Sequence, residues 1–180
     1  MHTVLRASAW VLAAAALSSA ATLEKLALDQ MIQKSTDIVR GRIVSSSTIR
    51  RGAIIYTVAT VAVAERWKGP DKSSMQVALP GGSYGEVKQM FSGVPVLSVG
   101  TEYALFLWTG PSGMTQIVGL SQGMLDLKLN SLGQTVVERG AITGELVDPK
   151  SRIAVPDDPM QITLSELRAR IQKTLAAAKE

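Results

Sequence analysis

The chain has 180 residues, of which 46% are hydrophobic, 19% charged and 4% aromatic, the profile of one ordinary globular domain rather than two. Its formal net charge of +4 is too small an excess to point to nucleic acid. It has no cysteine and a single histidine, His2, so chemistry that needs a thiol or an imidazole has almost nothing to work with.

Residues 1–21 have a short polar start with His2 and Arg6, an apolar stretch from Ala7 to Leu17, and then the small residues Ser18, Ser19, Ala20 and Ala21. This is the layout of a secretory signal peptide. Its apolar core of about eleven residues falls short of the roughly 20 that a bilayer-spanning helix needs. A buried N-terminal helix is the alternative reading of the same run. Export predicts a secreted or periplasmic protein that loses His2 and Arg6 with its leader, which lowers the net charge by one, to near +3. No cysteine stands at the cleavage point to carry a lipid anchor, and no disulfide can form. Downstream, the longest run free of charge and glycine, Ala53 to Ala64, reads as a strand, so no transmembrane segment is expected.

Thr22 to Ser35 reads as a short helix: Thr22 can cap it, and Leu28, Met31 and Ile32 stand at i, i+3 and i+4. Asp37 to Ser47 alternates, with Val39, Gly41 and Ile43 on one face and Arg40 and Arg42 on the other, the period of a half-buried strand. The polar stretch Ser45 to Gly52 is expected to turn the chain into a long strand, Ala53 to Trp67. That strand is apolar on both faces, as a central strand buried on two sides would be. Together these make a hairpin with a basic tip. Met75 to Leu79 alternates again, and Ser83 to Pro95 reads as a long loop. Glu102–Trp108, Thr115–Leu120, Met124–Leu129 and Thr135–Glu138 are four short candidate strands between glycine-bearing turns. Such spacing predicts an antiparallel sheet that closes or folds over itself, because no room is left for crossover helices. Residues 148–163, rich in proline and holding Asp157-Asp158, read as a linker after a domain spanning 22–147. Thr163 and Glu166 then have capping-box spacing, and Leu164, Leu167, Ile171 and Leu175 form the apolar stripe of a C-terminal amphipathic helix over 164–179.

Without His2, Ser-His-Asp triads, cysteine nucleophiles and histidine-ligated metals are unavailable. An enzyme would have to rely on carboxylates. Glu65 and Glu102 fall at strand ends, but nothing in the spacing of Glu65, Glu86, Glu102 and Asp126 pairs two of them as a carboxylate-based hydrolase would require. Pro80-Gly81-Gly82-Ser83-Tyr84-Gly85 lacks the Lys-Ser/Thr of a phosphate loop and reads as a glycine turn. Asp157-Asp158 lacks the alternating spacing of a calcium loop. No catalytic residue, metal site or cofactor is therefore expected. Arg40, Arg42, Arg50, Arg51, Arg66 and Lys68 would form a basic stripe along a flat hairpin, facing an acidic protein, an anionic glycan or a charged surface; a solvated outer face is the ordinary reading of the same residues. The basic C-terminal helix, with Arg168, Arg170, Lys173 and Lys179, is expected to pack on the sheet rather than lie on a membrane.

The run Asp37-Ile-Val-Arg-Gly-Arg-Ile-Val-Ser, followed by Ile55-Tyr56-Thr57-Val58 and Val63-Ala-Glu-Arg-Trp-Lys68-Gly69, resembles the first hairpin of netrin-like domains, the OB-type barrels of tissue inhibitors of metalloproteinases and complement C-terminal regions. Val99-Gly100-Thr-Glu-Tyr103-Ala-Leu-Phe-Leu107 resembles a later strand of that family. The likeness covers about residues 36 to 108 and extends to the N-terminal regions of secreted bacterial proteins, some of which carry a metalloprotease domain downstream. It implies a mainly β, OB-like antiparallel barrel with a non-catalytic role facing protein or glycan. The family's inhibitors ligate zinc through an N-terminal cysteine and lock the barrel with disulfides. This chain has neither, so the inhibitory residue has no counterpart here. The expectation is a binding module flanked by a short N-terminal and a C-terminal helix, with a protease-associated inhibitor as the alternative. Its binding surface would combine Arg50 and Arg51 with the loop from Pro80 to Pro95, where Tyr84 and Phe91 are either apolar anchors or packing that tucks the loop against the barrel.

Overall fold

The computed structural model describes residues 22–142 and 145–178; the predicted leader, with His2 and Arg6, and Lys179 lie outside them. In chain order the elements are Thr22–Glu24 (β1), Leu28–Lys34 (α1), Asp37–Arg51 (β2), Ile54–Lys68 (β3), Ser74–Pro80 (β4), Gly82–Tyr84 (β5), Val87–Gln89 (β6), Glu102–Thr109 (β7), Thr115–Ile117 (β8), Met124–Leu129 (β9), Thr135–Arg139 (β10), Glu145–Val147 (β11), Met160–Thr163 (β12) and Leu164–Ala177 (α2). A 3-10 turn, Leu120–Gly123, separates β8 from β9. The protein is mainly β with two helices, and none of the described helices is long and apolar enough to cross a membrane.

The main sheet is antiparallel, in the order β12-β10-β9-β7-β2-β3-β4, with β8 also paired to β7. Among the described residues these pairings form an open path and close no barrel. The sheet has a core on each face. On one, Ile38, Ala104, Phe106, Leu125 and Val137 meet Met31 and Ile32 of α1 and Leu164, Leu167 and Ile171 of α2. On the other, Val39, Ile43, Ala59, Val61, Val77, Leu105 and Leu107 pack together where the sheet curls over itself. The strand buried on both sides is thus β7, whose run Tyr103 to Leu107 is buried throughout, and not β3. On β3 Ile55, Ala59 and Val61 point inward while Tyr56, Val58 and Thr60 stay half-exposed, because the helices reach only the far end of the strand, at Glu65 to Lys68.

Four boundaries differ from the sequence reading. The first helix starts at Leu28 rather than Thr22, since Thr22–Glu24 pairs in parallel with Glu145–Val147 and its backbone groups are committed to that ladder. The first hairpin turns at Gly52-Ala53, not over 45–52: Ser45 to Arg51 continue as strand and pair with Thr60 to Ile54. Within the expected loop, β5 and β6 form a small hairpin. The expected linker is tied down along its length. Val155 N–H donates to Leu146 O at 2.8 Å, Arg139 Nη2 meets Asp157 Oδ1 at 2.6 Å, Lys25 Nζ meets Asp158 Oδ2 at 2.5 Å, and β12 joins the sheet beside β10. No slack remains between sheet and helix, because Thr163 ends β12 and caps α2. Glu166 N–H donates to Thr163 Oγ1 at 3.1 Å, and Thr163 N–H donates to Glu166 Oε2 at 2.7 Å, the reciprocal box expected there.

Candidate functional site

The six basic residues of the hairpin do not form one stripe. Arg40 Nε donates to Glu102 Oε1 at 2.8 Å, and Arg42 donates to Gly100 O and lies 4.0 Å from the same glutamate. Both arginines are therefore bound to the start of β7. Arg66 is largely withdrawn from solvent, pairing with Asp37 Oδ1 at 2.7 Å while both side chains are about nine-tenths buried. Lys68 Nζ donates to Ile32 O at 2.8 Å and Gln33 O at 3.1 Å, satisfying carbonyls that the last turn of α1 leaves open; partial burial holds its pKa below the usual lysine value. Arg50 and Arg51 stand apart, eight and nine residues along β2 from Arg42, or roughly 26–30 Å at about 3.3 Å per residue. They are exposed and make only backbone contacts, Arg50 Nε to Gly52 O at 3.0 Å and Arg51 Nη1 to Ser112 O at 3.4 Å.

At this far end the structure brings the other predicted residues together. Thr48 Oγ1 donates to Ser83 O at 2.8 Å, and the Gln89 amide is clasped by the tip of the β2–β3 hairpin, accepting from Ile55 N–H at 2.8 Å and donating to Ala53 O at 2.8 Å. The β5–β6 hairpin is thereby fixed on the Thr48 and Arg50 side of β2, while Arg51, the next residue, turns to the other side toward Ser112. Gly82 permits the approach: its φ is +128°, and a Cβ there would fall 2.6 Å from Thr57 Oγ1. Tyr84 and Phe91 are both exposed, at 50% and 44%. Phe91 lines a cleft of about 310 Å3 with Leu79, Met90, Val94 and Val96, and Met90 and Val96 are 81% and 78% exposed. The sequence reading missed Gln89, Met90 and Val96. The two apolar residues carried a usable signal, standing in a Gly- and Pro-containing segment without periodicity, where a core has no claim on them.

The strand-end acids are engaged elsewhere. Glu65 accepts from Arg168 Nε and Nη2, both at 2.7 Å, and from Trp67 Nε1 at 2.7 Å; the Arg168 guanidinium holds its carboxyl below the usual range. Glu102 is held by Arg40. Asp29 of α1 accepts from Arg170 Nε at 2.7 Å and Thr174 Oγ1 at 2.8 Å, and the Arg170 hydrogen bond lowers its pKa. Glu65 and Asp29 thus bind α2 to the rest of the molecule, and their depressed pKa values fix the sign of a pH effect. A carboxylate with a folded-state pKa below its unfolded value stabilises the fold fully above the unfolded value, and that contribution is lost as pH falls through the folded one. The urea midpoint is expected to drop below about pH 4, and an Asp29→Asn/Glu65→Gln variant should show a shallower acid slope over the same window. An unchanged slope in the double variant would assign acid sensitivity to other groups.

Among the described residues no group of three His, Cys, Asp or Glu side chains is placed to hold a metal ion. In comparisons with known proteins, no family model and no curated protein matches the chain.

Proposed function

We propose that the protein is a non-catalytic binding module, exported by its N-terminal leader and built on an OB-like barrel, whose recognition surface is the far end of the β2–β3 hairpin with the β5–β6 hairpin and the segment up to Val96. The partner is a protein presenting acidic groups around an apolar centre. A single observation carries this reading: at one end, Tyr84, Met90, Phe91 and Val96 expose apolar surface on the side of β2 that carries the exposed cation Arg50, with Arg51 exposed on the other side and Gln89 locking the two hairpins together. Large apolar side chains gathered on one exposed surface and rimmed by charge are the usual anatomy of a protein contact. The barrel reading is supported by β8, which pairs back to β7 and lies beside β4, so that β7, β2, β3, β4 and β8 come almost full circle. Export is supported by the charge, length and small-residue pattern of residues 1–21.

The test is crosslinking and recovery from the exported fraction of the source cells with three proteins: wild type, Met90→Ser/Phe91→Ser and Arg50→Glu/Arg51→Glu. A partner recovered with wild type is expected to be lost with both variants, and its binding to weaken as salt rises, since exposed charges are screened. A partner retained by both variants would exclude this surface, and recovery of the chain's own second copy would make it a self-association face.

A further inference from the structure

A second cleft, of about 440 Å3, lies on the helix side of the molecule between β1, the last turn of α1 and the β7–β8 hairpin. Its apolar lining includes Leu23, Leu26, Ile117 and Trp108. The Trp108 ring is 44% exposed and lies across Gly110, where a Cβ would come within 2.6 Å of the ring; an aromatic surface is thus held in place and left open. The rim carries backbone strain. Gly119 and Leu120 have φ of 63° and 56°, and a branched residue such as leucine adopts this left-handed conformation only where the surroundings enforce it. The same turn carries Gln122, fully buried, whose Oε1 accepts from Leu26 N–H at 2.8 Å while its Nε2 donates to Glu24 O at 2.9 Å. Gln122 therefore fixes both sides of the cleft.

Two charged residues reach the cleft, Lys34 and Glu24. Lys25, Arg40, Arg66, Arg139, Arg168 and Arg170 each meet a carboxylate, whereas Lys34 meets none among the described residues. Lys34 lines an apolar cleft with an aromatic side, and the net charge, near +3 without the leader, favours anions over cations near Glu24. We infer that this cleft binds a small amphiphilic anion, with a flat apolar body against Trp108 and a carboxylate or sulfonate on Lys34. A volume of this size matches a ligand of two or three fused or linked rings. The site is separate from the recognition surface proposed above and does not depend on it.

The probes are naphthalene-1-acetate and 1-naphthylmethylammonium, which share a ring system and differ in charge, titrated into the purified protein by calorimetry. Saturable 1:1 binding of the anion is expected, with the cation weaker. Lys34→Gln should weaken the anion by about fivefold, the upper end for a partly exposed ion pair. Trp108→Ala should weaken it by about tenfold or more, with Trp108→Phe restoring most of the loss. Glu24→Gln should tighten the anion, and Phe91→Ser, in the other cleft, should leave it unchanged. Circular dichroism and the unfolding midpoint of each variant separate loss of the site from loss of the fold. The inference is overturned if neither probe binds, if the cation binds as tightly as the anion, or if folded Lys34→Gln and Trp108→Ala proteins bind like wild type.

Discussion

Replacing Asp37 with alanine is expected to destabilise the protein by about 3–5 kcal/mol, the cost of leaving one member of a buried ion pair unopposed. Asp37 opens β2 and accepts from Arg66 Nη1 at 2.7 Å and Thr36 Oγ1 at 3.0 Å. Without it the guanidinium stays buried with one carbonyl partner, Lys72 O at 3.1 Å, and its Nε already lacks an acceptor. Against a typical total of about 5–15 kcal/mol, the loss would be a large share. The double variant Asp37→Ala/Arg66→Met should recover much of it, since an apolar pair has no charge to desolvate. Urea unfolding of the three proteins checks this: a double variant no more stable than Asp37→Ala would mean that backbone geometry at the start of β2, rather than charge burial, sets the cost.

The second large effect is expected at Gln122. Gln122→Leu keeps roughly the same volume but removes both the acceptor for Leu26 N–H and the donor to Glu24 O. Two backbone groups in a buried or half-buried setting would lose their partners, at about 1–3 kcal/mol each, so a loss of about 2–6 kcal/mol is expected. It should also be local. Amide exchange of Lys25, whose N–H donates to Val147 O at 2.9 Å, should accelerate far more than that of Phe106 in the sheet centre. Uniform acceleration across the chain would show that Gln122 supports the whole fold rather than the β1–α1 corner.

What the sequence disclosed and what it withheld divide along physical lines. The capping pair Thr163 and Glu166 and the stripe Leu164, Leu167 and Ile171 are local patterns, and they fold as they read. The strands Met124–Leu129 and Glu102–Thr109 were legible from alternation or from an unbroken apolar run. Elements of three or four residues, β1, β11 and β12, have no period long enough to detect. They exist because a partner more than 20 residues away, or more than 120 in the case of β1 and β11, completes their ladder. The same limit applies to the site. Arg66 and Arg50 are indistinguishable as letters, yet one is buried against Asp37 and the other exposed at a hairpin tip, a difference set by tertiary neighbours alone. Tyr84 and Phe91 stand out in the sequence because turn-forming glycines surround them, and both are exposed; Gln89, whose amide ties their segment to the β2–β3 hairpin, bears no such mark.

The pairing of Asp29 with Arg170 joins residues 141 positions apart. Until α2 has emerged, the outer face of β7, with Phe106 at its centre, has no cover from that helix. A chain made from its N-terminus holds this greasy surface bare until the last stretch arrives, which makes the interval before completion the moment of greatest vulnerability to aggregation.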